Sequence, residues 1–483
     1  MSIKTNSHSN TGLFGRFIGR SFNYGVKHLS GMVARVYVQN SELLRSAGMY
    51  ANSSIHIKYG HGRIEVTLDP NGKQKIMDTG RGELLELRNK STGTALKGLS
   101  RIVITIRQGK VIISAHPMDI AEKQRVNTML NKLQSGTPLR EACLFSGLGM
   151  LSLSIKDGLK KAGIDSQLAF ANDFCEKTMM CNMEGNPIWH DASDDVHVVV
   201  DDLNSLHFYD IPEVDYVTIG YPCVGFSLLA DKNNLDTSHP TCGHLFISLV
   251  STLRRMNPAF FIIENTPRFK DSESLRLIKK SMPDYRFQEL ILDGHDYQEL
   301  ESRKRTCVVA LSQSLPDIDA NTLVSLYADE PKPVLRDFLE PIGLDDPAWS
   351  KMEHVKARDA MAHIGYRNCL YNGSETAITT VPASYTRKAG TPMIQHPSIP
   401  ELQRQVMPDE HANLRRLPAS LKDAVIRVWL GFNNMVSANG NTTLAQRMLG
   451  NGVSRRVWTS VGAWIGDYLK DLKATSSELA QAA

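Results

Sequence analysis

From about residue 140 onward, short runs of apolar residues alternate with stretches of helical spacing, and this alternation restricts the possible folds more than any other feature. Strands that are apolar along their whole length are typical of parallel sheets, because helices cover both faces of such a sheet. The pattern therefore predicts an α/β fold with a doubly wound parallel sheet. The predicted strands are residues 141–144, 168–171, 196–200, 216–219, 260–263, 289–292 and 307–311.

This alternation occupies residues 136–312, and the rest of the chain divides into four further segments. Residues 1–32 are rich in Ser, Asn, Gly and basic residues, which predicts a basic flexible arm; an organelle transit peptide has a similar composition. Residues 33–135 carry two hairpin patterns and predict a basic β-rich domain. Residues 313–425 are loop-rich with many prolines, and residues 426–483 return to helical spacing.

Charge is distributed unevenly along the chain, whose overall net charge is only +4. Residues 1–135 carry 20 Lys and Arg against 8 Asp and Glu, a net charge of +12. The remaining 348 residues carry 35 against 43, a net charge of −8. A basic segment attached to a mildly acidic body indicates a polyanionic partner.

The sequence contains neither a membrane-spanning segment nor the paired cysteines of a zinc site, which argues against membrane proteins and zinc-binding proteins. No apolar run reaches the ~18 residues that a membrane-spanning helix needs, so no membrane association is expected. The seven cysteines form no C-x-x-C pair, so no metal site is expected. An odd number of cysteines without a signal peptide is typical of reduced thiols, and we expect a cytoplasmic, nucleoid-associated protein.

Ligands of doubly wound sheets bind beyond the carboxyl ends of the strands, so the residues that follow each predicted strand are candidates for binding. The first strand leads into a turn with Gly147 and Gly149, but Ser152 stands where a dinucleotide fingerprint would have a third glycine. A nicotinamide cofactor is therefore disfavoured. Asp173 and Asp202 follow the next two strands and could accept hydrogen bonds from a nucleoside; as an alternative, each could cap a helix.

Reactive residues follow the fourth and fifth predicted strands. Cys223 lies on a loop, where its thiolate could act as a nucleophile. Glu264 ends a buried strand and could donate a proton. Arg303 and Arg305 lie on one side of an extended segment. The alternatives are that Cys223 is a small core residue and that Glu264 forms a structural ion pair with an arginine.

Taken together, these motifs resemble those of the DNA cytosine-5 methyltransferases, in kind and in order. The motifs are F-x-G-x-G at residues 145–149, P-C-x-x-x-S at 222–227, E-N at 264–265 and R-x-R at 303–305, followed by P-D-E-H-A at 408–412 and L-G-N-G-V at 449–453. The resemblance covers residues 141–469. The E-H-A form and the N-T-T at residues 441–443 look most like the solitary enzymes of phages, plasmids and other mobile elements, and whether a restriction–modification partner exists is left open by the sequence.

The resemblance implies a Rossmann-like methyltransferase sheet that uses S-adenosylmethionine to methylate carbon 5 of a flipped-out cytosine in double-stranded DNA. It implies that Cys223 attacks carbon 6, that Glu264 contacts ring nitrogen 3, and that Arg303 and Arg305 complete the catalytic group. The implied cofactor-binding residues are Phe145, Gly147, Gly149, Asp173, Phe174, Asp202, Leu203, Pro222, Asn451 and Val453. The implied substrate-binding residues are Ser227, Asn265, Tyr385 and Arg387.

Residues 313–425 would then recognise the target sequence, and residues 426–483 would return to the catalytic domain. Four residues depart from the family's usual pattern without removing a reactive group: Met150, Tyr221, Leu300 and Glu301. RNA as the substrate, or a regulator that uses the methyltransferase body as a scaffold, are the alternatives. The N-terminal hairpins could pair two chains into a homodimer, or could simply pack on the catalytic body.

Overall fold

The computed structural model describes residues 20–99, 101–226, 235–353, 357, 370–385 and 392–481, with side chains up to residue 475. Its chain forms two compact units, Met1–Gln124 and Arg125–Ala483. Among the described residues, no helix combines the length and the apolar character needed to cross a membrane.

The N-terminal unit contains two antiparallel sheets around one apolar core. The larger sheet has the strand order β1-β9-β10-β5-β4-β6, and the smaller has the order β2-β3-β8-β7. Inward-facing residues of both sheets, such as Val36, Leu87 and Ile104, build the core. The strands are β1 (Arg20–Gly25), β2 (Lys27–Leu29), β3 (Val33–Val38), β4 (Ser54–Gly60), β5 (Arg63–Leu68), β6 (Gln74–Lys75), β7 (Met77–Asp78), β8 (Glu83–Asn89), β9 (Arg101–Arg107) and β10 (Lys110–Ala115).

Both predicted hairpins are present, as β4–β5 and β9–β10. The flexible arm predicted for residues 1–32 is wrong from Arg20 onward, because β1 pairs with β9 and β2 pairs with β3. Residues before Arg20 lie outside the described part of the chain. The described residues of this region contain three helices, of which the last spans the boundary between the two units: α1 (Ser41–Ser46), α2 (Lys90–Ala95) and α3 (Pro117–Ser135). Pairing of two chains stays a prediction.

The second unit is built on a seven-stranded sheet with the order β13-β12-β11-β14-β15-β18-β16. All seven predicted strands are present, but β18 runs antiparallel to both of its neighbours. Only twelve residues without an α-helix join β16 to β18, which is too little for the helical crossover that joins parallel strands. The strands are β11 (Leu139–Leu144), β12 (Ser166–Asn172), β13 (His197–Val199), β14 (Tyr216–Gly220), β15 (Phe260–Asn265), β16 (Tyr285–Leu292) and β18 (Arg305–Ser312).

Helices cover both faces of this sheet and enclose two apolar cores, as the doubly wound prediction requires. On one face α4 packs closely on α11; a Cβ added to Gly158 would lie 2.2 Å from the Thr459 carbonyl oxygen. The helices are α4 (Met150–Lys161), α5 (Glu176–Gly185), α6 (Leu245–Met256), α7 (Glu273–Ser281), α8 (Pro408–Leu414), α9 (Ala419–Leu430), α10 (Thr442–Asn451) and α11 (Arg455–Gln481).

The described residues between 313 and 405 form the irregular region that the proline content predicts, with a small core that includes Leu335 and Phe338 and extends to Val406. Its strands are only two to four residues long. They make a four-stranded sheet of order β19-β23-β22-β20 and a two-stranded pair of β17 with β21. The strands are β17 (Glu301–Ser302), β19 (Ser350–Lys351), β20 (Leu370–Tyr371), β21 (Ile378–Thr379), β22 (Met393–Gln395) and β23 (Leu402–Gln405).

Candidate active site

The turn between β11 and α4 adopts a backbone that leaves one side open. Phe145, Gly147 and Gly149 have φ values of 54°, 53° and 73°, in the left-handed region. A Cβ added to Gly147 would meet no atom within 4 Å, whereas one on Gly149 would lie 2.5 Å from Nδ2 of Asn186. Gly149 is therefore required by packing, while Gly147 leaves backbone accessible to a ligand.

Side chains from the next strand and helix hold this turn in place. Asp173 is buried, and its two carboxylate oxygens accept hydrogen bonds from the backbone N–H of Gly147 (2.7 Å) and of Cys175 (2.8 Å). Burial raises the pKa of the Asp173 carboxyl, and these two hydrogen bonds oppose the shift. Asn182 and Asn186 donate to the carbonyl oxygens of Gly147 (3.1 Å) and Leu148 (2.9 Å). Neither asparagine was recognisable from the sequence, because amides in a helical stretch carry no distinctive pattern.

Two other predicted cofactor residues lie at the same edge of the sheet, after β12 and β13. Phe174 is 74% exposed, which is unusual for a phenylalanine beside a buried core. Asp202 caps a short 3-10 helix, Leu203–Phe208, by accepting a hydrogen bond from the backbone N–H of Asn204 at 2.8 Å. The helix-cap alternative is thus correct for Asp202, yet its side chain remains exposed at the end of the strand. Leu203 is buried beneath it.

The loop after β14 carries Cys223 and is anchored from below. Asn265 is buried and donates a hydrogen bond from Nδ2 to the carbonyl oxygen of Tyr221 at 3.0 Å. The Cys223 carbonyl accepts from the N–H of Phe226 at 2.9 Å, which closes a turn. Asn265 was predicted to bind the substrate; its burial and this bond instead make it a positioning residue for the Cys223 loop. Ser227 lies outside the described residues.

The electrostatic surroundings of the Cys223 thiol are mixed. The thiol is half-buried, and burial raises its pKa. The Glu264 carboxyl raises that pKa further, while the guanidinium groups of Arg305 and Arg303 lower it. Because its pKa is raised, the Cys223 thiol is protonated at neutral pH. The positive charges of Arg305 and Arg303 favour its deprotonation, and the negative charge of Glu264 opposes it.

Glu264 is the register partner of Gly220 in the β14–β15 pair. Because Gly220 precedes Cys223 by three residues, Glu264 and Cys223 lie at the ends of neighbouring strands. Oε1 of Glu264 accepts a hydrogen bond from Nε of Arg305 at 2.9 Å, and both side chains are largely buried. Burial raises the pKa of the Glu264 carboxyl, and the guanidinium groups of Arg305, Arg303 and Arg415 oppose the shift. The ion-pair alternative is therefore correct for Arg305, and it leaves the second carboxylate oxygen of Glu264 for other partners.

Arg303, which lies between β17 and β18, bonds to the L-G-N-G-V motif at residues 449–453. Its Nη2 donates to the carbonyl oxygens of Gly450 (2.8 Å) and Gly452 (2.7 Å). Its Nε and Nη1 are buried without a hydrogen-bond partner among the described residues. Nη1 lies 3.7 Å from Glu301. Two buried donors are thus available for an acceptor that binds here.

The departure from the usual pattern at Glu301 has a structural explanation. Glu301 forms a buried ion pair with Arg415, whose other nitrogens donate to the carbonyl oxygens of Leu449 (3.0 Å) and Val381 (2.9 Å). This ion pair therefore links β17 to the residues after β21 and to the end of α10. At the end of α10, Asn451 is exposed, and Val453 just beyond it is buried. Pro222 is only partly buried in the Cys223 loop.

The prediction that Tyr385 contacts the substrate does not fit its position. The side chain is 1% exposed; its hydroxyl donates to the carbonyl oxygen of Pro392 and accepts from the backbone N–H of Val406 at 2.8 Å. Tyr385 is therefore a core residue of the irregular region, packed with Phe338 and Val406 in its small core. Arg387 lies outside the described residues.

The carboxyl ends of β11, β12, β14 and β15 thus bring together an open glycine turn, an exposed aromatic ring, a cysteine and a glutamate–arginine pair. The chain matches the protein family described as C-5 cytosine-specific DNA methylase over residues 140–467, which is more than half of its length. The chain belongs to this family. It is a DNA cytosine-5 methyltransferase, and methylation of cytosine in DNA is its activity.

Relatives of this methylase include bacterial type II methyltransferases. It is 22% identical to M.NlaX of Neisseria lactamica over 327 residues, which are 63% of this chain and 94% of the relative. It is 21% identical to M.MspI of Moraxella sp over 342 residues, which are 69% and 72% of the two chains. The N-terminal unit lies outside the family match, which begins at residue 140.

A solved structure of low identity confirms the fold. The Dnmt2 methyltransferase of S. pombe superimposes with a TM-score of 0.51 at 18% identity, covering 69% of this chain and 99% of that one. The seven-stranded sheet is accordingly the Rossmann-like sheet of a methyltransferase. The chain carries additional regions outside this sheet. Within the described residues, no group of three or more His, Cys, Asp and Glu side chains could hold a metal ion.

Proposed function

We propose that the methylase modifies a cytosine that is flipped out of double-stranded DNA, through a transient covalent bond between Cys223 and the base. The observation that carries the proposal is the adjacency of the Cys223 loop and the Glu264–Arg305 pair at the ends of neighbouring strands. Stacking hides both ring faces of a base inside a duplex, so a nucleophile can reach the base only after it leaves the stack.

The covalent step explains why both groups are needed. The Cys223 thiolate adds to carbon 6, and the electron pair of the carbon 5–carbon 6 bond moves into the ring while Glu264 holds or protonates nitrogen 3. Carbon 5 would then take the methyl group from the sulfonium of S-adenosylmethionine, whose S–CH3 bond breaks to leave a neutral thioether. A base then removes the proton of carbon 5, the electron pair re-forms the carbon 5–carbon 6 double bond, and the Cys223 thiolate leaves carbon 6. Covalent addition divides a difficult step into easier ones, because an aromatic carbon is otherwise a poor nucleophile. The free donors of Arg303 suit the cytosine carbonyl oxygen.

Residues at the sheet edge fit S-adenosylmethionine, which supplies an electrophilic methyl group when bound. The open side of Gly147 allows close approach of the ligand, and the exposed ring of Phe174 offers a surface on which adenine can stack. The exposed carboxylate of Asp202 can accept from the adenine amino group. Asp173 acts chiefly by holding the glycine turn, because backbone N–H groups already bond both of its oxygens.

Replacement of Phe174 by alanine is expected to weaken binding of S-adenosylmethionine by about 1–3 kcal/mol, the range for loss of one stacked base. Phe432→Ala is the matched control, because Phe432 is 75% exposed and belongs to none of the proposed sites. Isothermal titration calorimetry measures both affinities. Equal affinities for Phe174→Ala and the unaltered chain would remove Phe174 from the cofactor site.

Residues 313–425 are proposed to select the target sequence, because this segment includes a small core around Leu335, Phe338 and Val406 that is separate from the two cores of the catalytic sheet, although its last helices pack on that sheet. Base-edge contacts carry sequence information, and an irregular region presents many side chains for such contacts. Transfer of this segment into a type II relative is expected to move the methylated site with it, as read by bisulfite sequencing. A folded and active chimera that keeps the relative's own site would contradict this assignment.

Bisulfite sequencing of DNA from cells that express the methylase tests the activity and the target together. We expect 5-methylcytosine at one defined sequence, and the same cells expressing a Cys223→Ser variant serve as the control. Methylation that is equally frequent in both cultures would overturn the proposed role of Cys223.

A further inference from the structure

The larger sheet of the N-terminal unit has one apolar face and one polar face. Residues that alternate along β4, β5, β9 and β10 are buried in the core of the unit, as Ile55, Ile64, Ile104 and Val111 illustrate. Because side chains of a strand point alternately to the two faces, the residues between them point to the other, outer face. The register places the outer residues of neighbouring strands side by side.

The outer face is strongly basic. Six Lys and Arg side chains occupy it, together with His56, and Glu65 is its one acidic residue among the described strands. Glu65 accepts from both Lys110 (2.7 Å) and Arg63 (2.6 Å), so one carboxylate serves two cations. Arg101 pairs with Asp119 at 2.9 Å. The six cations are Lys58, Arg63, Lys75, Arg101, Arg107 and Lys110.

Two of these cations face each other directly. Arg107 and Lys110 are opposite residues of the β9–β10 hairpin. Like charges at directly opposite positions destabilise a sheet. Lys58, Lys75 and Arg107 form no ion pair among the described residues, although Glu65 is the register partner of Lys58. An anion bound across this face would remove the repulsion.

Hydroxyl groups fill much of the space between the cations. Ser21 and Thr105 are opposite residues of β1 and β9, and their oxygens lie 2.9 Å apart. Ser114 and Thr67 lie on β10 and β5 in the same outward orientation. Lys, Arg, Ser and Thr are the side chains that most often contact DNA phosphates. Large apolar side chains, which an interface with another protein would use, are almost absent; Val103 and Ile112 are the two apolar residues among the outer positions of these described strands.

The size of the face also suits a nucleic-acid duplex. Six strands at a spacing of about 4.8 Å extend over about 24 Å. Double-stranded DNA carries one negative charge per about 1.7 Å of its axis, so a duplex across the sheet presents about 14 phosphate charges. We propose that the outer face of the six-stranded sheet binds the phosphate backbone of double-stranded DNA, as a site separate from the catalytic centre. The proposal uses the DNA substrate of the family and does not depend on the covalent mechanism.

The test uses the full-length methylase with three of these cations replaced together: Lys58→Gln, Lys75→Gln and Arg107→Gln. DNA affinity is measured by fluorescence anisotropy over a range of salt concentrations, on a duplex without the target site. Each lost phosphate contact lowers the slope of log affinity against log salt by about 0.9, so the slope is expected to fall by up to about 2.7. Affinity at ~150 mM salt is expected to fall at least about tenfold.

The matched control replaces three exposed cations of the same unit that lie off this face: Arg81→Gln, Lys90→Gln and Lys97→Gln. Both triple variants lose the same charge, so a general charge effect would change both slopes equally and would overturn the proposed site. An unchanged slope in the first variant would overturn it as well. Circular dichroism checks folding, and single Arg107→Gln supplies the result if the triple variant does not fold.

A covalent-trapping assay with 5-fluorocytosine runs in parallel on the unaltered methylase. Absence of a trapped complex would contradict the proposed mechanism but would leave the salt slopes interpretable. Conversely, a trapped complex with equal slopes in both triple variants would contradict only the proposed DNA-binding face.

Discussion

Cys223→Ser is expected to abolish methyl transfer, with S-adenosylmethionine binding retained. A serine hydroxyl has no accessible anion near neutral pH, whereas a thiol does, so only the cysteine can add to carbon 6. The backbone of the loop should be preserved, because Asn265 holds it through the Tyr221 carbonyl and not through the thiol. Single-turnover transfer of a labelled methyl group to duplex DNA measures the loss.

Cys175→Ser is the matched control for this substitution. Cys175 is also half-buried and follows another strand of the same sheet, β12, but it is the N-cap residue of α5, a position that favours serine. We expect that variant to retain its activity. DNA containing 5-fluorocytosine at the target should trap a covalent complex with the unaltered chain and none with Cys223→Ser. A trapped complex in the serine variant, or full activity, would exclude Cys223 as the nucleophile.

Glu264→Gln is expected to slow methyl transfer about 100-fold or more, within the range for loss of general acid catalysis. Glutamine can still hydrogen-bond nitrogen 3 and Arg305, but it has no carboxyl proton to deliver. Because burial raises the pKa of the Glu264 carboxyl, the protonated form that donates to the ring is more populated than in an exposed glutamate. Single-turnover kinetics at saturating DNA and S-adenosylmethionine isolate this step from binding.

Glu299→Gln is the control that distinguishes a catalytic role of Glu264 from a purely structural one. Glu299 is also a buried glutamate paired with an arginine, Arg416, at 2.8 Å, and burial raises the pKa of its carboxyl. It lies outside the proposed catalytic group, so its replacement should leave the methyl-transfer rate of the folded enzyme unchanged. Similar rate losses in the two variants would mean that Glu264 has only a structural role.

The pH dependence of the unaltered enzyme follows from the two raised pKa values. Deprotonation of Cys223 favours the reaction, so the rate should rise with pH through the thiol pKa, which burial places above its usual range. Protonation of Glu264 also favours the reaction, so above the carboxyl pKa the loss of that proton offsets the rise and the rate of the unaltered enzyme should level off. In Glu264→Gln the second effect should be lost while the rise with pH remains.

The sequence predicted the elements of the catalytic unit well, because each depends on local pattern. All seven strands of the main sheet were recognisable as apolar runs, and a switch to helical spacing marked the helices between them. The order of the family motifs along the chain identified Cys223 and Glu264 as a pair, although their separation in sequence says nothing about distance. The antiparallel direction of β18 was missed, since direction depends on the connection and not on composition.

Tertiary structure alone decided which polar residues face a ligand and which hold the framework. Tyr385 and Asn265 carry the same chemical groups whether they touch DNA or the backbone, and only burial shows that they bond within the protein. The Glu301–Arg415 ion pair links residues more than a hundred positions apart, so no local pattern could reveal it. The basic character of the N-terminal unit is a property of its composition. Its concentration on one sheet face, however, arises from strand register, because register determines which side chains become neighbours.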